Sequence, residues 1–156
     1  MLLIPAVSCS LRTAAQSKNV MPPMSQSILD HPDTMEILSL QPHIGPMKST
    51  DPAFNYYGCR ILGRVAVIAE QDRVRKELRS LLAGWNGAVA ACGFSPRHAI
   101  VAKKGADLLE LLICFECGDL RIESPVGEAQ YLHISERKAG VFDEILTKAG
   151  VPLAPK

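Results

Sequence analysis

Residues 108–117, Leu-Leu-Glu-Leu-Leu-Ile-Cys-Phe-Glu-Cys, are apolar except at Glu110 and Glu116. A run this short is far below the roughly 20 residues of a membrane-spanning helix. Bounded by turn residues, it reads as an interior strand with both faces at least partly covered. The rest of the chain therefore has to supply strands on either side and a layer to pack against.

Those partners are readable. Residues 98–104 form a strand entering the turn composition Gly105-Ala106-Asp107, and Gly118-Asp119 suits a tight two-residue hairpin with glycine first. Leu120-Arg-Ile-Glu123 alternates apolar and charged residues, and after Pro125 and Gly127 residues 130–134 give another short strand. Upstream, residues 60–68 are rich in β-branched side chains, with Gly63 marking a bulge or a close backbone approach. Residues 35–40 read as one peripheral strand. Val74, Leu78, Leu81 and Leu82 share a helix face that stops at Gly84. Phe142, Ile145, Leu146 and Ala149 share another, with Ser135 as N-cap and Gly150-Val-Pro152 as the stop. The expected fold is α+β, an antiparallel sheet of about five strands with two helices packed on one face.

A chain of 156 residues, 47% hydrophobic, is sized for one core. The expected division is a signal-like start and flexible leader over residues 1–34, then a single globular domain over 35–156. Pro22-Pro23 is read as excluding a helix from the leader. Residues 41–53 are loop-like, punctuated by Pro42, Gly45-Pro46 and Asp51-Pro52. Formal charge is +1 and aromatic residues are 5%, which argues against a nucleic-acid partner. Arg73, Arg75, Lys76 and Arg79 line one helix surface with Glu77 among them, an ordinary solvated face at this charge balance.

The start, Met1-Leu-Leu-Ile-Pro-Ala-Val-Ser-Cys9, resembles the end of a bacterial lipoprotein signal, with Cys9 as a lipid anchor. Its basic start and apolar core are incomplete, as they would be if translation begins upstream; the alternative is an accidental Ala-Val-Ser-Cys. The chain has five cysteines. With Cys9 lipidated, Cys59, Cys92, Cys114 and Cys117 remain for disulfides or a metal site. A cell-envelope or periplasmic location is favoured, with cytoplasm, and reduced buried cysteines, as the alternative.

Cys114-Phe-Glu-Cys117-Gly118 has the local pattern of a zinc knuckle, and Cys92 and His98 are the candidates to complete a zinc site. Redox catalysis fits poorly, because the pair ends an apolar strand, with Glu116 between the thiols, instead of opening a helix. A structural disulfide, Cys114–Cys117 or one of them to Cys92, suits an exported chain. Pro96 restricts Ser95 and holds Arg97 beside His98, which offers a planar fork for an anion and a proton donor. Arg97, His98 and Glu116 are thus the ligand-binding candidates. Ser95, Cys92 or Cys114 as a nucleophile, with His98 as base and Glu116 as orienter, would make a hydrolase, but no glycine elbow accompanies them. The plainer reading pairs Arg97 with Glu110 or Glu116 and has His98 cap a strand.

Ser95-Pro-Arg-His98-x-Ile, Asp107-Leu-Leu-Glu-Leu-Leu-Ile-Cys-Phe-Glu-Cys117 and Ala-Gly-Val-Pro-Leu-Ala154 together resemble an uncharacterised bacterial family. Its members share a Cys-Phe-x-Pro-Arg-His-Gly block and an Ile-Cys-Phe-Glu-Cys block, and many carry lipoprotein-type or secretory signals. The likeness runs from Met35 to the C-terminus, including Leu38-Ser-Leu-Gln-Pro42 and residues 57–63. It implies no reaction. Two positions depart from it: Gly93 stands where a cysteine is expected, with Cys92 one place earlier, and Ala99 replaces a glycine.

The function expected is therefore a binding domain without catalysis, tethered at the envelope and open to a protein partner or ligand. Zinc binding and hydrolysis are the alternatives. All three place the Arg97-His98 corner and the paired sulfurs at one rim of the sheet.

Overall fold

The strand built on the apolar run, Asp107–Cys114, lies inside a six-stranded antiparallel sheet. A computed structural model describes residues 19–43, 51–87, 92–123, 128–135 and 138–155. Cys9 with its apolar start, Gly45-Pro46 and the Pro125/Gly127 turn lie outside them. In chain order the described elements are α1 (Pro23–Asp30), β1 (Thr34–Pro42), β2 (Cys59–Ala66), α2 (Gln71–Ala83), β3 (His98–Lys104), β4 (Asp107–Cys114), β5 (Asp119–Glu123), β6 (Gln130–His133) and α3 (Gly140–Lys148). The sheet order is β2-β1-β3-β4-β5-β6. The α+β expectation thus holds, with six strands instead of five and three helices instead of two.

The helices cover one face. Ile37, Ile100, Leu111, Leu120 and Ile122 of the sheet pack there with Leu29 of α1, Val74 and Leu78 of α2, and Phe142 and Leu146 of α3. Because side chains alternate along a strand, Leu38, Leu40, Ala99 and Leu112 face the other way. They form a smaller cluster with Cys59, covered by Tyr56 and Phe94 from loops. From Leu109 onward both faces of β4 are thereby largely covered, as its nearly continuous apolar run requires. Across the second face, Arg121 lies over the rings of Tyr57 and Tyr131, and Tyr56 and Tyr57 both donate hydrogen bonds to Glu110.

Several local readings are corrected. β1 is interior, flanked by β2 and β3, with Met35 and Ile37 through Leu40 buried. Pro22-Pro23 opens a helix instead of excluding one: Pro23 sits at its first position, where the missing N–H costs nothing. Residues 19–34 accordingly pack on the sheet layer, with Met21, Ile28 and Leu29 buried and Asn19 bonded to both backbone groups of His133. The β4–β5 turn is Phe115-Glu-Cys-Gly118, not Gly118-Asp119, since Cys114 pairs directly with Asp119. α3 starts at Gly140; Ser135 donates its N–H to Leu81 O and so belongs to the end of α2.

Gly63 serves both expected roles. Ser39 pairs with Gly63 and Leu40 with Ile61, so Leu62 is the extra residue of a bulge. A Cβ on Gly63 would stand 2.7 Å from Val151 Cγ1. The basic face of α2 is paired with acids: Arg73 with Glu70 and Glu144, Arg75 with Asp72, Arg79 with Asp30. Among the described residues no helix is long and apolar enough to cross a membrane.

Candidate functional site

The extended segment Ser95-Pro96-Arg97 is pinned between two strands before β3 begins. Leu40 N–H donates to Arg97 O at 2.8 Å, and Arg97 N–H donates to Ile113 O at 3.3 Å. His98 then opens β3 opposite Ile113 and points into the helix layer. Its ring stands 5.3 Å from that of Phe115 and 6.2 Å from that of Phe142. Only 5% of His98 is exposed.

Nε2 of His98 donates to Asp143 Oδ1 at 2.7 Å, in the first turn of α3. With the proton on Nε2, Nδ1 is a bare acceptor, buried and without a hydrogen-bond partner. Leaving a buried acceptor unmet costs about 1–3 kcal/mol. Arg97 Nε lies 3.4 Å from Glu116 Oε1, an ion pair without hydrogen-bond alignment, while Nη1 donates to Pro155 O. The chain's last described residues therefore close one side of the site. These groups, with Phe115, Lys138 and Leu153, line a cleft of about 480 Å³ at the sheet rim.

Cys114 and Cys117 are joined by a disulfide, with Cα atoms 5.3 Å apart. Phe115 and Glu116 lie inside the loop that it closes. Strand alternation sets the sulfurs apart from the imidazole: Ile113 joins His98 in the helix layer, so Cys114 leaves β4 on the opposite face. The rim is shared, as expected, but the two groups stand back to back across the sheet. Cys92 Sγ lies 4.0 Å from Glu116 O, and Cys117 Sγ contacts Gly93 O at 3.0 Å.

The expected zinc donors Cys114, Cys117, His98 and Cys92 therefore do not gather round one point. Two share a bond with each other and the third is engaged by Asp143. Among the described residues no group of three or more His, Cys, Asp or Glu side chains is placed to hold a metal ion. The nucleophile arrangement fares no better: among the described residues no hydroxyl or thiol is hydrogen-bonded to His98 Nδ1. Its carboxylate is Asp143, whereas Glu116 serves Arg97. The plainer Arg97–Glu116 pairing is present, and Glu110 is taken by the two tyrosines.

No protein-family model, curated protein or solved structure matches the chain. The likeness read from the two cysteine-containing blocks thus stands on those residues alone, and the site is interpreted from its own chemistry.

Arg97, His98 and Glu116 line one cleft with Asp143, Phe115, Lys138 and Leu153, four residues that the sequence pattern does not single out. Asp143 carried one usable signal, an acid in the first turn of a helix. Nothing in a sequence 45 residues apart couples it to His98. Trp85 stacks on His133 with ring centroids 4.9 Å apart.

Proposed function

We propose that this protein is a binding domain without catalysis of its own, taking a small ligand with an apolar body and an anionic head. The observation that carries this reading is the rim cleft, where Arg97, His98 and Glu116 meet Phe115, Leu153 and Lys138 in about 480 Å³. That volume suits a small organic ligand. Arg97 is paired with Glu116 and His98 Nε2 with Asp143, so among the described residues Lys138 is the lining cation without an ion-pair partner, placed to meet an acidic head, while Phe115 and Leu153 meet its body.

The disulfide favours an oxidising compartment. It supports the envelope location, with Cys9 as the lipid anchor. Mass spectrometry of the chain from its native host tests the tether: a diacylated Cys9 is expected, and an unprocessed, unmodified start rules the anchor out.

Binding is tested by titrating labelled protein with a panel of aliphatic and aromatic carboxylates while following backbone amide shifts. Shifts at Phe115, Ala139 and Gly140 are expected for part of the panel. They should disappear in Leu153→Trp, which fills the cleft, and weaken in Lys138→Glu. A panel that leaves those amides unmoved at millimolar concentration sinks the reading.

A further inference from the structure

We propose that Cys92, Cys114 and Cys117 form a thiol–disulfide exchange site in which Cys92 displaces Cys114 from Cys117. The inference goes beyond the binding reading and does not depend on it. Cys114 and Cys117 are only 1% and 3% exposed, so a dissolved thiol has little access to their bond. Cys92 is an exposed free thiol. The other free thiol among the described residues, Cys59, is buried and contacts Pro96 O at 3.9 Å.

Two contacts lay the Cys92-Gly93 segment against the bonded pair and decide which sulfur it meets. Cys92 Sγ sits 4.0 Å from Glu116 O, the carbonyl that precedes Cys117. Cys117 Sγ in turn lies 3.0 Å from Gly93 O. Cys117 is thus the sulfur presented to Cys92. Residues 92–97 carry no helix or strand, so the approach of Cys92 breaks no ladder.

The leaving group is equally defined. Cys114 Sγ accepts the N–H of Cys117 at 3.3 Å. A hydrogen bond of that kind strengthens as negative charge develops on the sulfur. The Cys92 thiolate attacks Cys117 Sγ, and a 92–117 bond forms as the 114–117 bond breaks. The electron pair departs on Cys114 Sγ, which takes up the proton that Cys92 released to solvent. One disulfide and one thiol are present before and after, so no outside oxidant or reductant is consumed. The step also opens the loop that carries Phe115 and Glu116 into the cleft.

The test is disulfide mapping of the full oxidised chain. The protein is held without added thiol at about pH 8.5, near the ordinary thiol pKa, then quenched in acid, capped with a maleimide and digested unreduced. Two populations are expected: 114–117 bonded with Cys92 capped, and 92–117 bonded with Cys114 capped. Cys92→Ser, a change at an exposed position, should give only the first. Wild-type chain in which every Cys117 stays bonded to Cys114 overturns the proposal. Cys114→Ser treated with oxidised glutathione is the second arm. A 92–117 bond is expected there, and stable glutathione adducts on both residues overturn it as well.

Discussion

His98 Nε2 and Asp143 Oδ1, 2.7 Å apart, tie the first residue of β3 to the first turn of α3 across the sheet rim. α3 has no side-chain N-cap bond, so this tie helps to set where the helix starts over the sheet. Asp143→Ala removes the acceptor and leaves a buried imidazole unmet at both nitrogens. A loss of about 1–3 kcal/mol follows. Asp143→Asn retains an acceptor oxygen in the same place and should lose less. Urea unfolding of the two variants measures the difference, and an alanine variant as stable as the wild type would contradict a structural role for the pair.

Gly63 meets Val151 where the bulged strand passes the segment after α3. A methyl at Gly63 would stand 2.7 Å from Val151 Cγ1, closer than packed carbons allow. Valine has little χ1 freedom with which to move aside. Gly63→Ala is expected to destabilise the fold by about 1–3 kcal/mol, the usual scale of overpacking. Val151→Ala in the same chain should recover much of the loss. Thermal unfolding of the single and double variants forms the cycle, and additive losses would show that the two residues do not meet.

The alkaline limit of stability is set by the buried Cys59 thiol and by the hydroxyls of the half-buried Tyr56 and the more exposed Tyr57. Burial pushes the Cys59 thiol up to about 11, only slightly opposed by Arg121. Burial, reinforced by the Glu110 carboxylate that both tyrosines hydrogen-bond, raises Tyr56 and Tyr57 above the ordinary phenol value. In each case the folded state favours the neutral, protonated form. The resulting stabilisation is complete below the unfolded pKa and is lost as pH rises towards the folded one. For Cys59 that window opens near 9 and runs to about 11, with the tyrosines adding their share above about 10. Urea midpoints should fall across it. Cys59→Ala should start lower but decline less steeply between pH 9 and 10, and parallel curves would remove the thiol from the account.

What was legible in the chain follows from periodicity, and what was not follows from long-range geometry. The run around Leu111 declared an interior strand because both of its faces are apolar, and the faces of α2 and α3 were plain from their spacing. The position of β1 was hidden, since an isolated six-residue apolar segment looks the same at an edge as in the interior. At the site, Arg97 and His98 stand out in the sequence because Pro96 restricts the backbone beside them, and Glu116 because it is a carboxylate between two cysteines at the end of an apolar strand. The mutual orientation of His98 and Cys114 is a matter of parity along two paired strands, and it becomes legible only with the register. Once His98 is matched with Ile113, the next residue of β4 has to face away. Asp143 was beyond reach, because only the packing of α3 over the sheet brings it to β3.

α1 belongs to the packed layer, with Ile28 and Leu29 buried. Two prolines in a polar, methionine-containing stretch resemble a linker, yet Pro22 stands at the N-cap and Pro23 in the first turn, where neither breaks a helical bond. The helix then spends its short length on two core contacts, Ile28 and Leu29, the latter fully buried against the sheet. Arg75 donates to Asp30 O and Arg79 to the Asp30 carboxylate, fastening the helix end to α2. Leu29→Ala is therefore expected to cost about 2–5 kcal/mol, the range for emptying a leucine site in a core. Met24→Ala, on the exposed side of the same helix, should be close to neutral. Denaturant unfolding of the pair separates a packed helix from a loose leader: equal, negligible effects at both positions would return residues 23–30 to the status of a linker.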